Sequence, residues 1–147
     1  MKILLAIDDS KFSRAALQML LGQYNPQKAV VRVLHVVEPL DTPYYPELST
    51  PYPANLQDIH RERMKAGREL VDEAVKKVRK AGFQVDGSVK SGHVRNVAVD
   101  VAKKWHANLI VMGSHGRTGL KKLLLGSVSD HVARHAHCSV QIVRTTR

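Results

Sequence analysis

Four consecutive apolar residues, Leu109-Ile110-Val111-Met112, run directly into Gly113-Ser114-His115-Gly116. An unbroken apolar run of strand length, closed by glycine, predicts a strand covered on both faces. Gly113 and Gly116 free the backbone of Cβ clashes, so it can turn sharply and approach a ligand closely. Gly126 does the same directly before a helix that Ser127 is placed to cap, with Asp130 three residues on as a weak capping box. A helix start carries unpaired N–H groups and a partial positive charge, and so favours anions. Strand, glycine loop, hydroxyls and helix start together describe a phosphate cradle.

The rest of the chain repeats the alternation. Residues 2–8 read as a first strand, and Asp9 or Ser10 can cap a helix running to about Leu21, with Gly22 as its C′ residue. Residues 29–37, rich in valine, form the second strand. Residues 38–53 hold five of the six prolines and three of the four tyrosines, and proline's missing donor and fixed φ make this segment a loop. A long helix follows from about Asn55 to Ala81, its apolar face spelled by Gly67, Leu70, Val71, Ala74, Val75 and Val78, with Gly82 ending it. Residues 83–89 make a third strand and residues 93–105 a third helix through Val94, Val97, Ala98, Val101, Ala102 and Trp105. The fourth strand is residues 108–112, the last helix runs from Ser127 to about His135, and residues 139–144 alternate as a fifth strand. Five strands alternating with four helices predict a single doubly wound, open parallel sheet of Rossmann-like type spanning 1–147. Ligands of such sheets sit beyond the carboxyl ends of the strands, where the strand order reverses. If the first and fourth strands are neighbours, Asp8 and the 113–129 loop converge on one cleft.

Composition narrows the function classes. A chain of 147 residues can bury roughly 70% of its unfolded surface, enough for a real core. No apolar run approaches membrane-spanning length, and the lone Cys138 cannot form an internal disulfide, so a reducing cytoplasmic setting is expected. The formal charge of +10 arises wholly after residue 55: residues 1–55 hold five Lys/Arg and five Asp/Glu, residues 56–147 eighteen and eight. A polyanion could explain the excess, but the basic residues spread over three helices with few aromatics among them. Single-strand binding needs stacking platforms, and only Trp105 and Phe83 are available there. Solvated helix faces are the favoured reading, and a nucleic-acid partner is not expected.

At this point the motifs resemble a known family. Ile3-Leu4-Leu5-Ala6-Ile7-Asp8-Asp9-Ser10, Leu34-His35-Val36-Val37 and above all Gly-x2-Gly-x9-Gly-Ser, filled by Gly113, Gly116, Gly126 and Ser127, are similar to the universal stress proteins in their nucleotide-binding branch. The resemblance covers nearly the full length. It implies strand order 3-2-1-4-5, an ATP-type ligand and a homodimer through the fifth strand. It places Ala6, Ile7 and Asp8 beside adenine and ribose, with Asp8 accepting from a ribose hydroxyl. Val36 would contact the adenine face, and Met112 and Gly113 the ribose and first phosphate. His115, Gly116, Arg117, Gly126, Ser127, Val128 and Ser129 would wrap the phosphates. Mg2+ could join through phosphate oxygens and water, its preferred ligands. The chain departs from the family pattern at Asp9, where glycine is common, and lacks a proline after Gly92-His93 and after Cys138.

Other chemistries find less support. Asp8 could instead serve only as a helix-capping carboxylate. Lys121 and Lys122 read as solvated loop charges. His131 and His135 stand four apart on one helix, a spacing that can hold zinc, but no HExxH signature or second ligand cluster accompanies them. Cys138 reads as a small buried apolar residue rather than a nucleophile. There is no G-x-S-x-G elbow and no GxxxxGK[ST] loop, so rapid ATP hydrolysis is not expected. The sequence therefore predicts a binding module for adenine nucleotide in stress response. A slow ATPase or phosphoryl or adenylyl transferase is the first alternative, and a nucleic-acid-binding module the second.

Overall fold

The computed structural model describes residues 1–40, 55–116 and 125–145. Within them the order is β1 (Lys2–Ala6), α1 (Lys11–Gln23), β2 (Val30–Val37), α2 (Leu56–Lys80), β3 (Gln84–Ser91), α3 (Val94–Trp105), β4 (Leu109–Gly113), α4 (Ser127–His135) and β5 (Ser139–Val143). Arg117, Lys121, Lys122 and all but the start of the proline-rich 38–53 segment lie outside the described residues.

The five strands form one sheet in the order β3-β2-β1-β4-β5, and every pairing is parallel. Side chains alternate across a strand, so the central strands feed two cores. Ile3, Leu5, Val31, Val33 and Val111 pack under α1 and α2 with Leu20, Val71 and Val78. Leu4, Leu34 and Ile110 pack on the opposite face with Ala98, Ala102 and Val132 of α3 and α4. The apolar runs of β1 and β4 are thus explained by burial on both sides. β3 closes one edge and has one solvated face, which is why its pattern is weaker.

Helix ends follow local chemistry, with three departures from the sequence expectation. Ser10 caps α1, its Oγ accepting from the Ser13 N–H at 3.2 Å. Gly82, at φ +92°, stops α2 in a conformation that L-residues rarely adopt. Gly22, however, is not a C′ residue: α1 continues to Gln23 and ends at Tyr24, in extended backbone, whose N–H donates to the Leu20 carbonyl. At α4 the cap is Gly126, not Ser127, which is the first helical residue. Asp130 does not complete a capping box but pairs with Arg134 one turn on, at 3.1 Å.

Candidate functional site

β1 and β4 are hydrogen-bonded neighbours, Ile3 opposite Leu109 and Ala6 opposite Met112. The sheet order therefore reverses between them: α1 leads from β1 away to β2, and α4 leads from β4 away to β5 on the other side. A cleft of about 670 Å³ opens at that point above the carboxyl ends. Ala6, Ile7, Asp8, Val36, Met112, Gly113, His115, Gly116, Gly126, Ser127, Val128 and Ser129 all line it. Twelve of the thirteen residues singled out from the sequence meet in one place; Arg117 is outside the described residues.

The glycines act mainly by leaving space. A Cβ on Gly113 would lie 2.7 Å from Phe12 Cβ and 2.8 Å from the Phe12 carbonyl carbon, so Gly113 is where the first turn of α1 seats on β4. Gly113 also lines the cleft, so its packing against α1 adds a role that the sequence did not show. A Cβ on Gly126 would meet the Ser114 carbonyl oxygen at 3.1 Å and His115 Cα at 3.2 Å. Gly126 thus lets the start of α4 lie against the loop that leaves β4. The buried Ser114 holds the two together: its carbonyl accepts from the Gly126 N–H and from Ser129 Oγ, both at 2.8 Å, and its own N–H donates to the Val143 carbonyl.

With glycine at the cap, no side chain among the described residues caps α4. The N–H groups of Ser127, Val128 and Ser129 have no acceptor one turn back within the helix. All three residues line the cleft, so the positive end of α4 opens onto it. Leu34, Val36, Ala98 and Met112 give the same cleft an apolar lining.

Asp8 braces the start of α1 and also lines the cleft. Its Oδ1 accepts from Ser13 Oγ at 2.6 Å and from the Ser10 N–H at 3.1 Å, bracing the start of α1. Its Oδ2 faces Gly116, where a Cβ would come within 3.0 Å of it. His115 packs its ring 5.2 Å from that of Phe12, with Nδ1 at 3.1 Å from Ser114 Oγ.

Several wall residues were not singled out as site residues from the sequence: Ser13, Leu34, His35, Glu38, Arg63, Val94, Arg95 and Ala98. They come from α1, β2 and the residue just after it, α2 and α3, and meet only once the sheet is assembled. Glu38 holds the start of α3, its Oε1 accepting from the Val94 N–H. Arg95 lies close enough to α4 to act on His131, whose pKa is lowered by desolvation first, then by His135 and Arg95, against an opposing pull from Asp130. The His131 and His135 rings stack at 4.1 Å, and the His135 Nδ1–H donates to the His131 carbonyl. A second hollow of about 410 Å³ lies between β3 and α3, around Arg32, Asp86 and Trp105. It has neither a glycine loop nor a helix start. Trp105, considered above as a stacking platform, there carries the Arg32 guanidinium 4.6 Å from its ring centroid.

Residues 1–144 match the model of the universal stress protein family. The chain is 33% identical to the universal stress protein Sll1388 of Synechocystis over 97% of both chains. Among solved structures it resembles the protein MJ0577, with a TM-score of 0.84 and 25% identity over 99% of this chain and 96% of that one. Three more distant structures share the fold with nucleotides bound. A family protein from Arabidopsis thaliana holds AMP (TM-score 0.72, 19% identity, covering 99% and 92%). A universal stress protein holds cAMP (0.69, 23%, 99% and 98%), and one from Archaeoglobus fulgidus holds dAMP (0.62, 21%, 97% and 96%). Fold, strand order and full-length family match agree: the chain belongs to the universal stress protein family.

Proposed function

We propose that this protein is a stress-response module that binds ATP or a related adenine nucleotide in the cleft between β1 and β4. The observation that carries the reading is the start of α4, which has no side-chain cap among the described residues and lines the same cleft as the apolar residues Leu34, Val36, Ala98 and Met112. Amides and helix charge suit a phosphate chain, and the apolar lining suits a base. Asp8 Oδ2 is the acceptor for a ribose hydroxyl, since Oδ1 is already engaged by Ser10 and Ser13. The AMP, cAMP and dAMP held by fold relatives support an adenine nucleotide as the ligand class. The described residues hold no group of three His, Cys, Asp or Glu side chains placed to hold a metal ion. Mg2+ would therefore enter with the phosphates, on their oxygens and water. Pairing of two copies along the free edge of β5 would complete a homodimer, and the single cysteine suits the cytoplasm.

The test is titration calorimetry of MgATP against the wild type and Ser127→Glu. A carboxylate in the first turn of α4 suits the helix but occupies and repels the anion position. Affinity should fall at least tenfold, about 1.4 kcal/mol, with the melting temperature unchanged or raised. Unchanged affinity would contradict the reading.

A further inference from the structure

His35 is the polar exception on the inner face of β2. Val31 and Val33 precede it on the side covered by α1 and α2, and it is 9% exposed. Its Nδ1 lies 2.8 Å from the Ile7 carbonyl oxygen. A carbonyl only accepts, so Nδ1 must carry the proton, and in the neutral ring Nε2 is then a lone-pair acceptor. The ring cannot turn over without giving up that bond. It is also held from behind. A Cβ on Gly67 of α2 would lie 2.7 Å from His35 Cδ2 and 3.4 Å from Nε2, so Gly67 is the gap into which the imidazole fits.

Nε2 has no partner among the described residues, and none of their buried side-chain nitrogens or oxygens lacks one. Nε2 is therefore open to solvent, and His35 lines the cleft beside Ile7 and Asp8. A fixed acceptor in a ligand cleft discriminates. It rewards an N–H or O–H placed against it and penalises a carbonyl or a missing donor, because a polar group left unpaired costs more than the bond is worth.

We propose that His35 is a specificity-determining residue of the cleft, accepting through Nε2 a hydrogen bond from a nucleoside donor. The inference rests on the nucleotide reading above. The donor chemistry is shared by the exocyclic amine of adenine and the two ribose hydroxyls, and the experiment separates them.

The experiment measures affinities of the wild type and His35→Phe for ATP, 2′-deoxy-ATP, 3′-deoxy-ATP and inosine triphosphate, with thermal melts in parallel. Phenylalanine keeps a planar ring and removes both nitrogens. In the wild type, the analogue lacking the relevant donor should bind roughly tenfold more weakly than ATP. In His35→Phe that same ratio should collapse to below about twofold, while the other two ratios stay as they were. A purely structural role would weaken all four ligands alike. If His35→Phe melts below the assay temperature, Gly67→Ala gives the same readout, since its Cβ must push the ring off its position. Equal ratios for all three analogues in wild type and variant would overturn the proposal while leaving nucleotide binding intact. Failure of the wild type to bind ATP would overturn both.

Discussion

Replacing Gly113 with alanine tests how the cleft is built. The added Cβ would sit 2.7 Å from Phe12 Cβ, 2.8 Å from its carbonyl carbon and 3.0 Å from its oxygen. Carbon atoms settle at about 3.5 Å or more, so α1 or β4 must retreat by roughly 0.8 Å. Two of the three opposing atoms are backbone, so no rotamer change relieves the contact. The first turn of α1 is also tied down, by the Ser10 cap and by Asp8 bonding to Ser13. Overpacking in a core costs about 1–3 kcal/mol, and an immovable neighbour places this case near 3 kcal/mol. For a domain of this size each kcal/mol moves the melting temperature by roughly 2–4 °C, so a fall of about 6–12 °C is expected. Circular dichroism at 222 nm during a thermal ramp measures it. A melting temperature within 1 °C of wild type would show that Gly113 does not set the α1–β4 spacing, and the account of this glycine would be wrong.

Gly22 makes the opposite prediction: nothing lies within 4 Å of its Cβ position inside α1, so Gly22→Ala should stabilise by about 0.5–1 kcal/mol in the same melts. A loss of stability would contradict its helical placement. His131 should titrate below ordinary histidine by NMR, and Arg95→Ala should raise its midpoint; an unmoved midpoint would count against the α3–α4 coupling. Because the unfolded chain takes up that proton more readily, the group's contribution to stability is full above about pH 6.5 and is lost as the pH falls through the lower folded value. Cys138 is half-buried rather than buried as its sequence position suggested, and this partial burial raises its thiol against a smaller backbone effect, so its reaction with a disulfide reagent at pH 8 should be slower than that of free cysteine. A rate equal to free cysteine would refute a shielded thiol.

The parts of this molecule legible in the sequence are those set by near neighbours along the chain. The double-sided burial of Ile3–Leu5 and Leu109–Met112 shows as unbroken apolar runs, and Ser10 announces the start of α1. The glycine motif keeps its residues adjacent in space because one loop and one helix turn carry them. What escaped notice depends on distant segments. The seat that Gly113 gives α1 shows only when Phe12 is placed against it. Ser127 and Gly126 compete for one cap, and the choice follows from Ser114, whose carbonyl takes the Gly126 N–H and the Ser129 hydroxyl. Gly22 suggested a helix end because glycine often marks one, yet nothing in its surroundings forces a turn there. His35 left a faint signal, a polar residue in a valine strand, but its meaning needs Gly67 and Ile7 beside it.

The central claim is that an adenine nucleotide sits between β1 and β4 with its phosphates on the start of α4. Backbone amide chemical shifts, followed as MgATP is added to the labelled protein, test it most directly. The account predicts saturable shifts concentrated at Ala6–Asp8, Val36, Met112–Gly116 and Gly126–Ser129, largest at the first-turn amides of Ser127, Val128 and Ser129. Shifts gathered instead around Arg32, Asp86 and Trp105, or none at millimolar ATP, would contradict it.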